Sequence, residues 1–211
     1  MIELYIWGTP NGPKASIMLE EVGLPYEVHP VNIGKNEQHD PAFLKISPNN
    51  KIPAIVDRDA PGGPLSLFES GAILIYLAEK TGRLLASGGA DRYRALEWVS
   101  WHLGGPGPAF SQLGFFALRS PEKSELAIKR FTDESERLLK VLDRRLQESS
   151  YLAGDDYSIA DVICYPWTAA GTTYLKPVLG PVIATLPAVQ RWLTAVGERD
   201  AVKRGMAVPK M

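Results

Sequence analysis

In residues 1–82, the pattern of hydrophobic and polar positions is strand-like in some short segments and helix-like in the segments between them. Four apolar runs bounded by turn-forming residues are predicted strands: residues 2–7, 26–31, 53–57 and 65–68. Three segments are predicted helices: residues 13–22, 41–46 and 71–80. The order is β-α-β-α-β-β-α. A helical crossover makes the first two strands parallel, whereas the short Gly/Pro-rich turn at 59–64 makes the last two antiparallel.

Beyond Arg83 the apolar positions recur at helical spacing, and no run is convincing as a strand. Helices are predicted over residues 91–103, 124–148 and 186–196, with a further helix opening at Ser158. Asp161 follows Ser158 by three residues, which is typical of a capping box. The pattern therefore predicts an α/β domain over 1–82, a linker over 83–90 and an all-helical domain over 91–211.

Composition narrows the range of functions. The 211 residues include 23 Lys+Arg against 24 Asp+Glu, so no basic excess exists to bind nucleic acid. The single cysteine, Cys164, cannot form an internal disulfide, a CxxC pair or a thiolate zinc site, and its apolar helix indicates inert packing. The three histidines, His29, His39 and His102, have no ligand spacing, so no metal is expected.

No targeting or membrane segment is expected. The N-terminal residues lack the basic and apolar regions of a secretory signal. The uncharged stretch between Glu97 and Arg119 is long enough to span a membrane, but a Gly/Pro cluster at 104–108 interrupts it. These features predict a cytoplasmic protein that does not associate with membranes.

Four short sequences occur in an informative order and spacing: TPNG at 9–12, NKIPAI at 50–55, FESG at 68–71 and SIAD at 158–161. Together they resemble the glutathione transferase superfamily over essentially the whole chain. The TPNG turn followed by Lys14 resembles the bacterial Nu-class branch, whose members are glutathione-dependent disulfide-bond reductases. The resemblance implies a thioredoxin-like βαβαββα domain that binds glutathione, followed by a helical-bundle domain for the acceptor and for dimerisation.

The resemblance implies that catalysis centres on the sulfur of bound glutathione. Thr9 and Asn11 stand just before the first helix, where a hydroxyl and an amide could stabilise a thiolate. Both could instead be simple turn residues. Tyr5 is the alternative hydroxyl, but it lies inside the first predicted strand, which favours a place in the core. We therefore expect Thr9 and Asn11 to be the catalytic residues.

The remaining predicted glutathione-binding residues follow from matching positions. Ile52, before a cis Pro53, would pair with the ligand backbone as an added strand does. Glu69 would receive the ligand ammonium, and Ser70 with the helix N-terminus would bind its α-carboxylate. Without a ligand, these two residues could simply cap the helix.

Three contacts rest on the resemblance more loosely. Gln38 and Lys51 match positions that hold the glycyl end, and Arg130 matches an arginine that reaches the tripeptide, either within one chain or across a dimer. Each could equally be a solvated surface residue.

The expected function is reduction of a small disulfide by glutathione in a cytoplasmic homodimer, with reduced and oxidised glutathione as partners and no metal. Glutathione conjugation or peroxide reduction at the same thiolate is the alternative among enzymes. A non-catalytic glutathione-fold interaction module is the alternative outside enzymes.

Overall fold

The chain forms two compact units, each with its own core. The structure, a computed structural model, describes residues 1–209. The first unit contains Met1–Ser87 together with the described segment from Glu198 onward, and the second contains Gly88–Gly197.

A four-stranded mixed sheet forms the centre of the first unit. Its strands are β1 (Ile2–Ile6), β2 (Tyr26–Pro30), β3 (Ala54–Asp57) and β4 (Leu65–Phe68), in the order β2-β1-β3-β4. β1 and β2 are parallel, with Ile2 opposite Tyr26, and the other two pairs are antiparallel. The mixed sheet and its strand directions are therefore confirmed.

Three helices of the first unit follow the predicted order. They are α1 (Gly12–Val22), α2 (Pro41–Leu44) and α3 (Ser70–Thr81), and α2 is two residues shorter than predicted. Gly23 follows the last residue of α1, and Gly82 follows that of α3. Their φ angles of 72° and 66° are left-handed, a conformation that glycine adopts without steric cost. α1 and α3 contact each other and the sheet.

The two faces of the sheet bury different sets of side chains. Ile2, Leu4 and Ile6 alternate along β1 and are all buried, which places them on one face. The other face carries a smaller apolar cluster, which contains Val31, Phe43, Ala54, Tyr5, Ile46 and Ile52.

The second unit, residues 88–197, contains helices and connecting loops and no strand. Its helices are α4 (Gly89–Gly104), α5 (Pro106–Gly114), α6 (Glu125–Glu148), α7 (Ile159–Ala170), α8 (Lys176–Ile183) and α9 (Pro187–Gly197), with a π-helical turn over Phe115–Arg119. α5 and α8 were not predicted because proline and glycine obscure their helical pattern. Among residues 1–209, no helix is both long and apolar enough to cross a membrane.

Asp161 is the polar centre of the second unit. Its carboxylate accepts hydrogen bonds from Ser158 N (3.0 Å), Leu152 N (3.0 Å) and Trp192 Nε1 (2.9 Å). The predicted capping box at the start of α7 is therefore confirmed. Burial raises the pKa of Asp161 to about 6, although these donors favour the ionised form.

The last helix, α10 (Asp200–Met206), belongs to the first unit and packs on α1. The Ser16 hydroxyl donates to the Gly205 carbonyl at 2.7 Å, and the Arg199 guanidinium holds the Glu21 carboxylate through two bonds of 2.7 and 2.9 Å. This grouping differs from the predicted single helical domain over 91–211, because α10 buries its apolar face against α1.

Replacing Asp161 should test the role of this carboxylate. In Asp161→Ala, the buried N–H groups of Leu152 and Trp192 lose their acceptor, so the free energy of unfolding should fall by about 3 kcal/mol or more. Asp156→Ala, at an exposed position, should change it by less than about 0.5 kcal/mol. Urea unfolding at neutral pH measures both. Equal stabilities of the two variants would contradict the assignment.

Replacing Gly205 should test the packing of α10 on α1. A Cβ at this position would lie 2.5 Å from the Ile17 Cα and 2.6 Å from the Ile17 nitrogen, backbone atoms that cannot rotate away. Gly205→Ala should therefore lower the free energy of unfolding by about 2 kcal/mol. Met206→Ala, at an exposed position of the same helix, is the control and should have little effect. A fully stable Gly205→Ala variant would show that α10 is not packed in this way.

Candidate functional site

The turn between β1 and α1 brings the TPNG sequence to the N-terminus of α1. Thr9 N donates to the Trp7 carbonyl at 2.7 Å, and Gly12 N donates to the Thr9 carbonyl at 3.1 Å. A Cβ on Gly12 would lie 2.6 Å from the Trp7 oxygen and 2.7 Å from Ile6 Cγ1. Only glycine therefore allows α1 to begin this close to the end of β1.

The Thr9 hydroxyl is buried and has no hydrogen-bond partner within the described residues. Leaving a buried hydroxyl unpaired costs free energy, and such groups in folded proteins often belong to sites that a ligand completes. A ligand atom that accepts a hydrogen bond, such as a thiolate sulfur, would satisfy it. The role of Thr9 as a thiolate donor stays a prediction.

Asn11 lies beside Thr9 in the same turn and contacts Lys14. The Lys14 ammonium donates to Asn11 Oδ1 at 2.9 Å. Since an ammonium can only donate, the amide atom that faces it is the oxygen, and the amide nitrogen is the donating end. Pro13 lies in the first turn of α1 and removes one backbone N–H from this helix end.

The residues just before β3 lie outside the paired part of the sheet. The Ile52–Pro53 peptide is cis, as predicted. Ladder pairing of β3 begins only at Ala54, which lies opposite Tyr5 and Phe68. The backbone N–H and carbonyl of Ile52 therefore lie beyond the ladder, where an extended peptide could pair with them.

Glu69 and Ser70 form the junction between β4 and α3. α3 begins at Ser70, which is buried, and its first N–H groups can bind an anion. Glu69 is exposed and has φ of 70°, an unfavourable backbone conformation for a residue with a Cβ. Its Oε1 accepts a hydrogen bond from Asn49 Nδ2 at 3.3 Å. Strained residues of this kind are concentrated at functional sites.

Gln38 and Lys51 lie on loops of the first unit. Gln38 is on the 3₁₀ turn Glu37–His39, and its Oε1 is buried without a hydrogen-bond partner in the described part of the chain. Lys51 is exposed, and its backbone carbonyl accepts from the Ser47 hydroxyl at 2.9 Å. Gln38 therefore offers an acceptor, and Lys51 a cation.

Arg130 belongs to the second unit, unlike the other eight predicted site residues. It is exposed on α6, where it contributes to lowering the pKa of Glu134, after the larger effects of Arg137 and of burial. Its role toward glutathione stays a prediction.

Tyr5 is engaged elsewhere. Its ring stacks on His29 with centroids 4.9 Å apart, and it lies 6.0 Å from the ring of Phe43. Its hydroxyl donates to Glu3 at 3.1 Å. Burial and this hydrogen bond raise the pKa of Tyr5, so the phenol is a poor source of a proton for exchange with a thiol.

The remaining candidate reactive groups are one cysteine and the histidine and carboxylate side chains. Cys164 is buried within α7. Across residues 1–209, no group of three or more histidine, cysteine or carboxylate side chains could hold a metal ion. Lys14 follows the TPNG turn by two residues, and the sequence alone assigns it no role in the site. The one sequence feature that points to Lys14 is that it is a charged residue in an otherwise apolar first helical turn.

Comparison with known proteins extends these observations. Residues 1–79 match the model of the glutathione S-transferase N-terminal domain, and residues 108–200 match that of the C-terminal domain. The disulfide-bond oxidoreductase YfcG of Escherichia coli is 46% identical over 208 residues, which cover 98% of this chain and 94% of the relative.

Two solved structures are also closely similar. A glutathione transferase family member from Pseudomonas fluorescens, with two glutathiones bound, has a TM-score of 0.94 at 46% identity and covers 99% of this chain and 93% of its own. A glutathione transferase from Pseudomonas putida, with one glutathione disulfide bound per subunit, has a TM-score of 0.93 at 45% identity, covering 99% and 91%. Motifs, fold and relatives agree, and the chain belongs to the glutathione S-transferase family.

Proposed function

We propose that this protein is a glutathione-dependent disulfide reductase whose reactive sulfur is that of bound glutathione. The observation that carries the proposal is the buried, unpartnered hydroxyl of Thr9, next to Asn11 at the start of α1. The chain's own sulfhydryl, Cys164, is buried in α7 and unsuited to attack a substrate.

The relatives support the same reaction. YfcG is named a disulfide-bond oxidoreductase. The structure from Pseudomonas fluorescens holds two glutathiones, and that from Pseudomonas putida holds glutathione disulfide. Two reduced glutathiones and their disulfide are the reductant and the product of disulfide reduction.

In the proposed complex, the first unit holds glutathione along its length. The Ile52 backbone would pair with the cysteinyl residue, Glu69 would hold the γ-glutamyl ammonium, and Ser70 with the α3 N-terminus would bind the α-carboxylate. Gln38 and Lys51 would contact the glycyl end. Arg130 is a further proposed contact of the tripeptide.

The chemistry depends on the ionisation of the glutathione thiol. A free thiol has a pKa of about 8.5, so only a few per cent is ionised at neutral pH. The Thr9 hydroxyl, the Asn11 amide and the end of α1 would stabilise the thiolate and lower this pKa. The thiolate attacks one sulfur of the acceptor disulfide, and the other sulfur leaves as a thiolate that takes a proton. A second glutathione thiolate attacks the mixed disulfide, releasing oxidised glutathione and the second acceptor thiol.

The cellular compartment, the oligomeric state and the acceptor are part of the same proposal. We place the protein in the cytoplasm, where the glutathione pool is kept reducing enough to drive the reaction. We propose a homodimer because the edge strand β4 exposes Leu65 and Phe68, apolar side chains that a partner would cover. A small-molecule disulfide is the proposed acceptor.

Removing either thiolate donor should lower turnover without unfolding the protein. Thr9→Ala and Asn11→Ala should each reduce kcat/KM for a model disulfide at neutral pH by about 10-fold or more, the change that follows from one unit of thiol pKa. Thr9→Ser keeps the hydroxyl and should retain most of the activity. Cys164→Ala, the control for a protein-borne nucleophile, should do the same.

Steady-state assays with circular dichroism as the folding check measure these effects. Full activity in both alanine variants would contradict the proposal, and so would complete loss in Cys164→Ala with the fold intact.

The charge on Glu69 should matter for binding more than for chemistry. Glu69→Gln removes the partner of the glutathione ammonium, so the Kd for glutathione should rise by about 10-fold. Glu79→Gln removes the same charge from an exposed position at the far end of α3 and serves as the control. Titration calorimetry measures both, and equal Kd values for the two variants would argue against this binding mode.

The reaction type should appear in a comparison of acceptors. With glutathione as the reductant, we expect turnover of a model disulfide to exceed that of an aryl halide and of an organic peroxide. Activity toward only the last two would identify a conjugating or peroxide-reducing enzyme. Absence of binding to both reduced and oxidised glutathione would indicate a non-catalytic module.

A further inference from the structure

We propose that Lys14 is a positioning residue of the glutathione site, which fixes the Asn11 amide as a donor and supplies a positive charge that favours the thiolate. The inference deepens the proposed function and rests on it. Lys14 follows the TPNG turn by two residues, and the proposed thiolate donors do not include it.

The first observation is where the charge of Lys14 lies. The side chain is only 2% exposed, whereas lysine in folded proteins is almost never fully buried. Its position in the first turn of α1 adds a second cost, because the positive end of the helix dipole disfavours a cation there. A costly charge kept at a helix N-terminus is consistent with a role toward an anion at that end.

The second observation is the contact with Asn11. Residues three apart on a helix are neighbours, and here the Lys14 ammonium donates to Asn11 Oδ1 at 2.9 Å. Rotating the amide by half a turn would place its NH₂ group against the ammonium, two donors with no acceptor between them. The contact therefore holds Asn11 in one of its two amide orientations, with its nitrogen as the donor.

The third observation is the fixed frame around this pair. Every residue of α1 except Glu20 is buried, and Gly12 brings the start of the helix against the carbonyl of Trp7. Lys14 is thus held on a buried helix, and Asn11 directly precedes its first residue. Fixed groups stabilise a developing charge without reorganising during the reaction.

These observations separate two contributions that can be tested apart. The charge of Lys14 lowers the pKa of a nearby thiol, an effect of about one unit for a cation a few ångströms away. The hydrogen bond orients Asn11. Lys14→Met removes both contributions, Lys14→Gln keeps a donor but removes the charge, and Lys14→Arg keeps the charge.

The test is a pH titration of the thiolate absorbance of glutathione bound to the full-length protein. We expect the midpoint to rise by about one unit in Lys14→Gln, to rise further in Lys14→Met, which also leaves the Asn11 amide free to rotate, and to stay near the wild-type value in Lys14→Arg. Lys45→Met removes an exposed lysine of the first unit and should leave the midpoint unchanged. A merely structural role for Lys14 would alter stability but not this midpoint.

The same titration distinguishes failure of the inference from failure of the proposed function. A wild-type midpoint equal to that of free glutathione would overturn the proposed function. A lowered wild-type midpoint that persists in folded Lys14→Met and Lys14→Gln would overturn only the role of Lys14.

If the neutral variants do not fold, the wild-type protein still provides a test. The Lys14 ammonium resonance, observed by nuclear magnetic resonance at neutral pH, should shift more with glutathione than with S-methylglutathione, which cannot form a thiolate. Identical shifts with the two ligands would overturn the inference.

Discussion

The placement of α1 is the constraint on which the glutathione site depends. At its start, Gly12 allows the helix to approach the Trp7 carbonyl at the end of β1, and further along Gly205 of α10 lies against the backbone of Ile17. Neither glycine position has room for a side chain. The sheet and the C-terminal segment therefore both fix the position of α1. Thr9 and Asn11 lie in the turn just before α1, so the position of this helix determines where their side chains lie. In the proposed site, packing far from the glutathione sulfur would therefore determine where the thiolate is stabilised.

A fixed helix end explains how a protein with one buried cysteine can carry out thiol chemistry. The substrate brings the sulfur, and the proposed site supplies only a hydroxyl, an amide and a charge held close together. Recognition of the rest of the tripeptide would then need few charges, with Glu69 proposed to hold the ammonium. The near-neutral balance of the chain is in keeping with this, because the ligand is matched by single placed groups and not by a charged surface.

Local patterns were sufficient to predict most of the fold. The four strands, α1, α3 and the long α6 each have a clear period and a clear stop signal, such as Gly23 or Gly82. The cis Ile52–Pro53 bond and the capping box at Ser158 followed from matched motifs. The return of α10 to the first unit could not be predicted, because it depends on contacts between residues nearly two hundred positions apart, as between Ser16 and Gly205. The proposed role of Lys14 could not be predicted for a related reason, since the sequence does not reveal that its side chain contacts Asn11.

The most direct test of the central claim is to locate the mixed disulfide during turnover. The wild-type protein would be mixed with glutathione and a model disulfide, quenched with acid within the first turnovers, and analysed by mass spectrometry. The account predicts that the acceptor is joined to glutathione and that the mass of the protein is unchanged. A kinetically competent adduct on the protein at Cys164 would contradict it.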